Sequence, residues 1–204
     1  MMSLVRRRAL AVVLRSVRHK SNGQKVPEKS PDELAAELQQ NAFLNEKCFL
    51  VNENDQVIGH ATKAECHKVR PDGTVPLHRA FSVFMFNSNG HLLLQKRSPF
   101  KITYPEHYTN TCCSHPIVGE AGEEDETDAI GVRLAARRRL SFEMGIPLEK
   151  LALEDFKYVT RVHYMDTSSG KWGEHEIDYI LFLKSDAAVK PNSNEVCEIS
   201  YVPR

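Results

Sequence analysis

The chain has 204 residues, of which 41% are hydrophobic and 26% are charged, so it is long enough for one domain with its own core. Lys plus Arg and Asp plus Glu number 27 each, which excludes the strongly basic surface of a typical nucleic-acid-binding protein. The five cysteines are odd in number and irregularly spaced, which argues against a disulfide framework.

The first residues of the chain are basic and contain no acid before Glu28. At helical spacing, Leu10, Leu14 and Val17 share one face, and arginines cluster opposite them. This composition is typical of a mitochondrial transit peptide, and a disordered basic tail is the alternative. We therefore predict that residues 1–29 are a leader outside the fold, and that residues 30–204 form the domain. The longest apolar run is too short to cross a bilayer, so no transmembrane segment is expected.

The first half of the domain contains signals for one helix and two hairpins. Ser30-Pro31-Asp32-Glu33 is a helix-start pattern. Lys47–Val51 and Gln56–His60 flank an Asn-rich turn and predict a hairpin. A second hairpin is predicted to join His91–Gln95 to Ala80–Phe86, whose apolar residues indicate a strand buried on both faces.

The second half starts with a long loop predicted over Lys101–Val118, and such loops are often functional. Glu120–Asp128 is acidic and is predicted to lie in solvent. A helix is predicted over Asp128–Met144, ended by Gly145. Strands follow at Tyr158–Met165, Glu174–Lys184 and Val196–Val202. The mixture predicts an α+β domain, a mixed sheet with a helix packed on it.

Three histidines and two glutamates are candidate metal ligands. Alternate residues of a strand share a face, so Glu174 and Glu176 point the same way. Two carboxylates on an apolar strand need a positive charge, which a divalent cation or an arginine could supply. Imidazole and carboxylate donors suit Zn²⁺, Mn²⁺ or Mg²⁺. The alternative is that these are ordinary polar residues satisfied within the fold. The five candidates are His67, His78, His115, Glu174 and Glu176.

A second set of candidates is basic. Lys63, Arg97 and Lys101 could clamp an anionic group such as a diphosphate, and a solvated basic rim is the alternative. Thr109–Pro116, TNTCCSHP, allows four interpretations: core residues, a metal clip, a disulfide, or a nucleophile with its supporting groups.

The end of the long helix resembles the Nudix box, whose helix reads Arg-Glu-apolar-x-Glu-Glu-x-Gly-apolar. Arg139 and Phe142 replace two of its glutamates. The resemblance implies a Nudix fold and argues against a hydrolase that gathers several Mg²⁺ ions on those glutamates. The matching residues are Arg138, Leu140, Glu143, Gly145 and Ile146.

Four motifs in order resemble type I isopentenyl-diphosphate delta-isomerase, the Nudix-fold branch, in a match that runs from Asn45 to Val202. They are His78–Ser82 (HRAFS), Thr109–Pro116, the altered box, and Trp172–Tyr179 (WGEHEIDY). The resemblance implies a Nudix-like mixed sheet with flanking helices. It implies a 1,3-allylic proton shift that turns isopentenyl diphosphate into dimethylallyl diphosphate. A Nudix-type diphosphate hydrolase and a non-catalytic diphosphate-binding protein of the same fold are the alternatives.

The resemblance also implies a role for each matched residue. Cys113 and Glu176 match the catalytic pair, and Tyr164 matches a tyrosine that hydrogen-bonds the glutamate. Cys112 is left as a core residue. The implied cofactor is a divalent metal, Mg²⁺, with Mn²⁺ or Zn²⁺ as alternatives at the His/Glu site. Its matched ligands are His67, His78, His115, Glu174 and Glu176, with Glu143 beside a second Mg²⁺. The matched diphosphate-binding positions are Lys63, Arg97, Lys101 and Ser114.

Family members continue into C-terminal helices that close over the substrate. This chain ends at Arg204, so the resemblance predicts that the lid helices are absent and that turnover is impaired. We also expect a monomer that binds a small diphosphate and no nucleic acid. Mitochondrial localisation is predicted from the leader, with cytoplasmic or peroxisomal localisation, known in the family, as the alternatives.

Overall fold

The computed structural model describes residues 29–168 and 170–203. The predicted leader, residues 1–29, lies almost wholly outside the described residues. Within the described part, three α-helices accompany nine strands. The helices are α1 (Pro31–Phe43), α2 (Lys63–His67) and α3 (Ile130–Met144). The strands are β1 (Lys47–Val51), β2 (Val57–Thr62), β3 (His78–Phe86), β4 (Leu92–Arg97), β5 (Tyr108–Thr109), β6 (Cys112–Ser114), β7 (Lys157–Asp166), β8 (Glu174–Lys184) and β9 (Val196–Val202).

Strand β3 is the centre of the sheet. Strand β8 runs parallel to it over its whole length, from the pair His78↔Glu176 to the last residues of both strands. The other edge of β3 pairs in turn with β1, β6 and β4. Strand β7 extends the sheet beyond β8, while β9 and β5 pair with β4. This mixed sheet confirms the predicted α+β class, and the predicted burial of β3 is confirmed as well.

Helix α3 packs on the sheet and supplies much of the apolar core, which includes Val132, Leu140 and Met144. It begins two residues later than predicted, because Asp128 and Ala129 adopt left-handed φ angles of 48° and 55° that interrupt the helix. Its predicted end is confirmed. Gly145 has a φ of 65°, and an added Cβ would lie 2.2 Å from the carbonyl oxygen of Lys190, so only glycine fits there.

Three predictions about connections need correction. Strands β3 and β4 meet only at Phe86↔Leu92, since β4 continues beside β9 instead of forming a long hairpin. The stretch Lys101–Val118 contains β5 and β6, which are too short to show a period in the sequence. Glu123, predicted to lie in solvent, is 4% exposed because Arg138 and the backbone N–H of Ile117 satisfy its carboxylate.

All five cysteines are free. Among the described residues, no helix combines the length and the apolar character needed to cross a membrane.

Candidate active site

Strand register places the first part of the site. His78 of β3 and Tyr164 of β7 are both direct partners of Glu176 on β8. Side chains of directly paired residues lie on the same face of a sheet, so these three form one row across three strands. His115 follows β6 by one residue, and β6 pairs with β3 at Phe81–Val83. The sheet therefore brings together groups that are far apart in sequence.

The one-turn helix α2 supplies His67 from outside the sheet. A capping box fixes its first turn: the Thr62 hydroxyl accepts from the backbone N–H of Glu65, and the Glu65 carboxylate accepts from the backbone N–H of Thr62. The Nδ1 of His67 lies 2.9 Å from the carbonyl oxygen of Lys63. The local capping sequence thus orients both Lys63 and His67.

Four buried side chains form the candidate metal centre, with one donor atom from each lying within 4.8 Å of all the others: His67, His78, His115 and Glu176. His115 Nε2 lies 3.0 Å from Glu176 Oε1 and 3.2 Å from His78 Nε2. The Nδ1 atoms of His67 and His78 each face a backbone carbonyl oxygen at 2.9 Å. Because a carbonyl only accepts, Nδ1 carries the proton and the Nε2 lone pair is free for a metal.

Electrostatics suit His67 and His115 to metal binding, whereas Glu176 raises the pKa of His78 although burial acts to lower it. Burial lowers the pKa of His67 well below its ordinary value and that of His115 to about 3, so both rings are neutral, the form that binds metals. Burial acts to raise the pKa of Glu176, but the close contacts with His115 and His78 lower it well below its ordinary range. The buried Nδ1 of His115 has no hydrogen-bond partner. Three imidazoles and one carboxylate are a donor set that fits a divalent cation.

Glu174 shares the face of Glu176 but lies outside the four-donor group. The Tyr164 hydroxyl connects the two carboxylates, at 3.0 Å from Glu174 Oε2 and 2.6 Å from Glu176 Oε2. Burial and the charges of both glutamates raise the pKa of Tyr164, so the phenol keeps its proton and donates it in a hydrogen bond.

Cys113 lines a cavity of about 440 Å³ that also contains Tyr164, Glu174 and Glu176. Its strand partner is Ser82 of β3, whose hydroxyl lies 3.6 Å from the sulfur. Burial and the charge of Asp178 raise the pKa of the Cys113 thiol to about 11. The neighbouring Cys112 is fully buried in the apolar core, as expected for the spectator of the pair.

The predicted diphosphate-binding residues all line this cavity: Lys63, Arg97, Lys101 and Ser114. The Arg97 guanidinium donates to the backbone and side-chain oxygens of Thr103, at 2.9 and 3.1 Å. The Lys101 ammonium lies 2.6 Å from Glu195.

Glu143 is placed differently from the other predicted ligands. It does not line the cavity, and its carboxylate oxygens accept from Arg139 at 2.6 Å and from Gln95 at 3.2 Å. Burial opposes ionisation, but the Arg139 charge lowers the pKa of Glu143 to about 2. Both oxygens are therefore engaged by the protein, and the role of Glu143 beside a second Mg²⁺ stays a prediction.

Comparisons with known proteins agree with this geometry. The family model of the NUDIX domain matches residues 76–204. Isopentenyl-diphosphate Delta-isomerase 1 of Bos taurus is 49% identical over 179 residues, which cover 88% of this chain and 78% of the bovine protein. The chain belongs to the isopentenyl-diphosphate Delta-isomerase family. The Mesocricetus auratus protein of the same name is 51% identical over 166 residues, 81% of this chain and 73% of that protein.

The Nudix fold of this isomerase-family chain is also seen in a solved structure, the DR0079 protein of Deinococcus radiodurans. The two superpose with a TM-score of 0.50 and 21% identity, covering 77% of this chain and 83% of that one. This similarity concerns the fold alone.

Two polar residues beside Cys113 escaped the sequence analysis. Asp178 extends the alternation of Glu174 and Glu176 by one more step, so the period of two could have identified it. Its Oδ2 accepts from Ser82 at 2.8 Å, its Oδ1 is buried without a partner, and burial with the Glu176 charge raises its pKa to about 7.

The other missed residue is Asn110. Its Nδ2 donates to the carbonyl oxygens of Val83 and Cys112, both at 3.0 Å, and its Oδ1 lies 2.7 Å from Cys113 Sγ. These contacts join β3 to β6 across an irregular loop, and no periodic signal in the sequence could have revealed them.

Proposed function

We propose that this chain isomerises isopentenyl diphosphate to dimethylallyl diphosphate by a 1,3-allylic proton transfer. One observation carries the proposal: a single cavity is lined by the Cys113 thiol, the Tyr164–Glu176 pair and a set of basic side chains. The family membership established above gives independent support.

The basic residues bind the diphosphate, and Cys113 and the Tyr164–Glu176 pair transfer the protons. Lys63, Arg97 and Lys101 bind the diphosphate, which lies remote from the double bond, stays attached to the carbon chain and supplies binding energy without reacting. Ser114 adds a hydroxyl donor beside them. This arrangement holds the short carbon chain between Cys113 and the Tyr164–Glu176 pair.

The reaction needs one group that gives a proton to the terminal alkene carbon and another that removes a proton from C2. Cys113 and Tyr164 hold protons at neutral pH, because burial raises both of their pKa values. Glu176 is ionised and accepts the Tyr164 hydrogen bond. A tertiary carbocation is captured by water, so the proposal requires that water be kept from the carbon chain during the reaction. With these protonation states, Cys113 gives a proton to C4 and the ionised Glu176 takes one from C2; the reverse order starts instead from a Cys113 thiolate and a protonated Tyr164–Glu176 pair.

A divalent cation belongs on the three histidines and Glu176, where it would fix the carboxylate and change its acidity. We propose Mg²⁺, with Mn²⁺ and Zn²⁺ as alternatives that the same donors accept. Glu174 is the proposed fifth ligand, because it lies two residues before Glu176 on β8 and its side chain is on the same face.

Proton exchange in D₂O tests the proposal, with deuterium at C2 and C4 of isopentenyl diphosphate measured separately. We expect exchange with the wild-type chain and none with Cys113→Ala or Glu176→Gln, while both variants still bind inorganic diphosphate. Cys197→Ala, which changes an exposed cysteine, is the matched control. A wild-type chain that binds diphosphate without exchange at either carbon would be a binding protein, and the proposal would be wrong.

Hydrolysis is the weaker alternative. One of the two missing box glutamates is replaced by Arg139, which is buried and paired with Glu143 and Glu195. This cation repels the ions that a Nudix hydrolase would collect there. If the purified chain released inorganic phosphate from nucleoside diphosphates, the result would favour the hydrolase interpretation.

We further propose that residues 1–29 direct the protein to mitochondria and that it acts as a monomer. The basic composition of residues 1–27, which contain no acid, supports the first proposal.

A further inference from the structure

The carboxylate of Glu195 is enclosed by four donors from distant parts of the chain. Its side chain is 0% exposed. Oε1 accepts from the side-chain amides of Gln39 and Gln40 at 2.9 and 2.8 Å. Oε2 accepts from Lys101 Nζ at 2.6 Å and from Arg139 Nη2 at 3.2 Å. A buried carboxylate is tolerated only when such donors compensate its charge.

The backbone at Glu195 is tied to the loop that carries Lys101. Glu195 precedes β9, and its carbonyl oxygen accepts from the N–H of Ser98 at 3.0 Å. The carbonyl of Ser98 in turn accepts from the N–H of Lys101 at 3.2 Å. One short segment therefore holds both ends of Lys101, its backbone and its ammonium group.

Lys101 lies close to other cations, and the Glu195 carboxylate compensates its charge. It lines the cavity with Lys63 and Arg97, and Arg139 lies behind it on Glu195. The pKa of Lys63 is lowered to about 8, mainly by burial and further by the positive charges of Lys101 and Arg139, so these cations repel one another. Without the Glu195 carboxylate, we expect the flexible Lys101 side chain to move away from these neighbouring cations.

We propose that Glu195 is a positioning residue that holds the Lys101 ammonium at the diphosphate-binding end of the cavity, through their 2.6 Å ion pair. The inference rests on the proposed function in that it takes Lys101 as a diphosphate ligand. Glu195 itself does not line the cavity, so it acts through Lys101 and not on the substrate.

A double-mutant cycle with inorganic diphosphate as the probe tests the proposal. Diphosphate affinity is measured by calorimetry for Glu195→Gln, Lys101→Met and the double variant, with Glu198→Gln as control. Glu198 lies on β9, is exposed and accepts from Tyr108 at 2.6 Å. We expect each single variant to weaken diphosphate binding by about tenfold, in line with the loss of one charge-assisted contact. The double variant should be no weaker than Lys101→Met, because Glu195 acts only through Lys101.

Steady-state kinetics give a second measurement that a general loss of stability would not produce. Because the diphosphate does not react, Glu195→Gln should raise KM for isopentenyl diphosphate about tenfold and change kcat by less than twofold. Tighter diphosphate binding by Glu195→Gln would mean that Glu195 competes with the substrate for Lys101, and the proposal would be wrong. Additive losses in the double variant would also overturn it.

A second variant is available if Glu195→Gln does not fold: Glu195→Asp keeps the charge and shortens the side chain by one methylene. A folded Glu195→Asp with unchanged diphosphate affinity would refute the positioning role. Since inorganic diphosphate binding is measured without turnover, a wild-type chain that binds it and does not isomerise would contradict the proposed function and leave the role of Glu195 intact.

Discussion

Replacing Arg139 by methionine removes the cation between two buried carboxylates. The side chains of Glu143 and Glu195 are 2% and 0% exposed, and Arg139 Nη2 lies 2.6 and 3.2 Å from them. Removing one partner of a buried ion pair costs about 3–5 kcal/mol, because the remaining charge loses its compensation. The lowered pKa of Glu143 gives a similar value for the free energy of this ion pair. Burial acts against ionisation, yet Arg139 lowers the pKa of Glu143 from 4.5 to about 2, which corresponds to about 3 kcal/mol at neutral pH.

Urea unfolding at pH 7 measures this loss of free energy, and thermal unfolding measures the matching change in melting temperature. For a domain of this size, we expect Arg139→Met to lower the melting temperature by roughly 6–20 °C. Arg133→Met is the control on the same helix, since the Arg133 guanidinium donates to the backbone carbonyl of Asp128 and not to a carboxylate; its cost should stay near 0.5 kcal/mol or less, roughly that of a surface substitution. Adding Glu143→Gln to Arg139→Met should restore part of the stability. An Arg139→Met variant as stable as Arg133→Met would refute the reasoning.

The same substitution has a predicted pH dependence. A carboxyl group whose pKa is lower in the folded state stabilises the fold above its unfolded-state pKa, and this contribution disappears as the pH falls toward the folded-state value. For Glu143 that window runs from 4.5 down to about 2. The stability difference between the wild-type chain and Arg139→Met should therefore be largest near neutral pH and shrink below pH 4.5.

Three further predictions concern the site and the leader. Cys113→Ala should lower kcat by roughly 10²–10⁴-fold, the usual contribution of an acid–base group, whereas Cys112→Ala should mainly lower the melting temperature; equal losses of kcat would reverse our assignment within the pair. His115→Ala should weaken Mn²⁺ or Zn²⁺ binding, measured by calorimetry, by more than the roughly 10–100-fold typical of losing a second-shell partner, and His60→Ala, on the exposed strand β2, should leave it unchanged. Deleting residues 1–29 should abolish import into isolated mitochondria and leave the melting temperature unchanged, and import of the shortened chain would contradict the leader assignment.

Strands and helix ends with a local signal could be predicted from the sequence. The period of two placed Glu174 and Glu176 on one face, and the glycine at 145 marked the end of α3 because only glycine accepts its backbone angle without a clash. Within Thr109–Pro116 it was the family resemblance that distinguished Cys113 from Cys112; the structure places Cys113 in the cavity and Cys112 in the core. The two predictions from local signals depend on neighbours within a few residues.

Partners from distant segments could not be predicted in this way. The enclosure of Glu195 needs α1, the loop after β4 and α3 at once, and no residue near Glu195 in the sequence indicates it. Glu123 was assigned to solvent for the same reason, since the arginine that satisfies it lies on α3. A buried charge is recognised only when its compensating group is known, and that group is fixed by the tertiary fold.

The positions of the four candidate donors show how a Nudix fold could hold a metal ion at residues outside its box helix. In this chain the box helix keeps one glutamate, Glu143, and Arg139 in the preceding turn of the same helix pairs with it. The donors instead come from β3, β8, the end of β6 and the capped turn α2. Parallel pairing of β3 with β8 sets His78 opposite Glu176, and a slip of one residue would turn every side chain of the slipped strand to the other face. The register of two central strands, and not the box helix, therefore determines whether this fold can hold a cation beside Cys113.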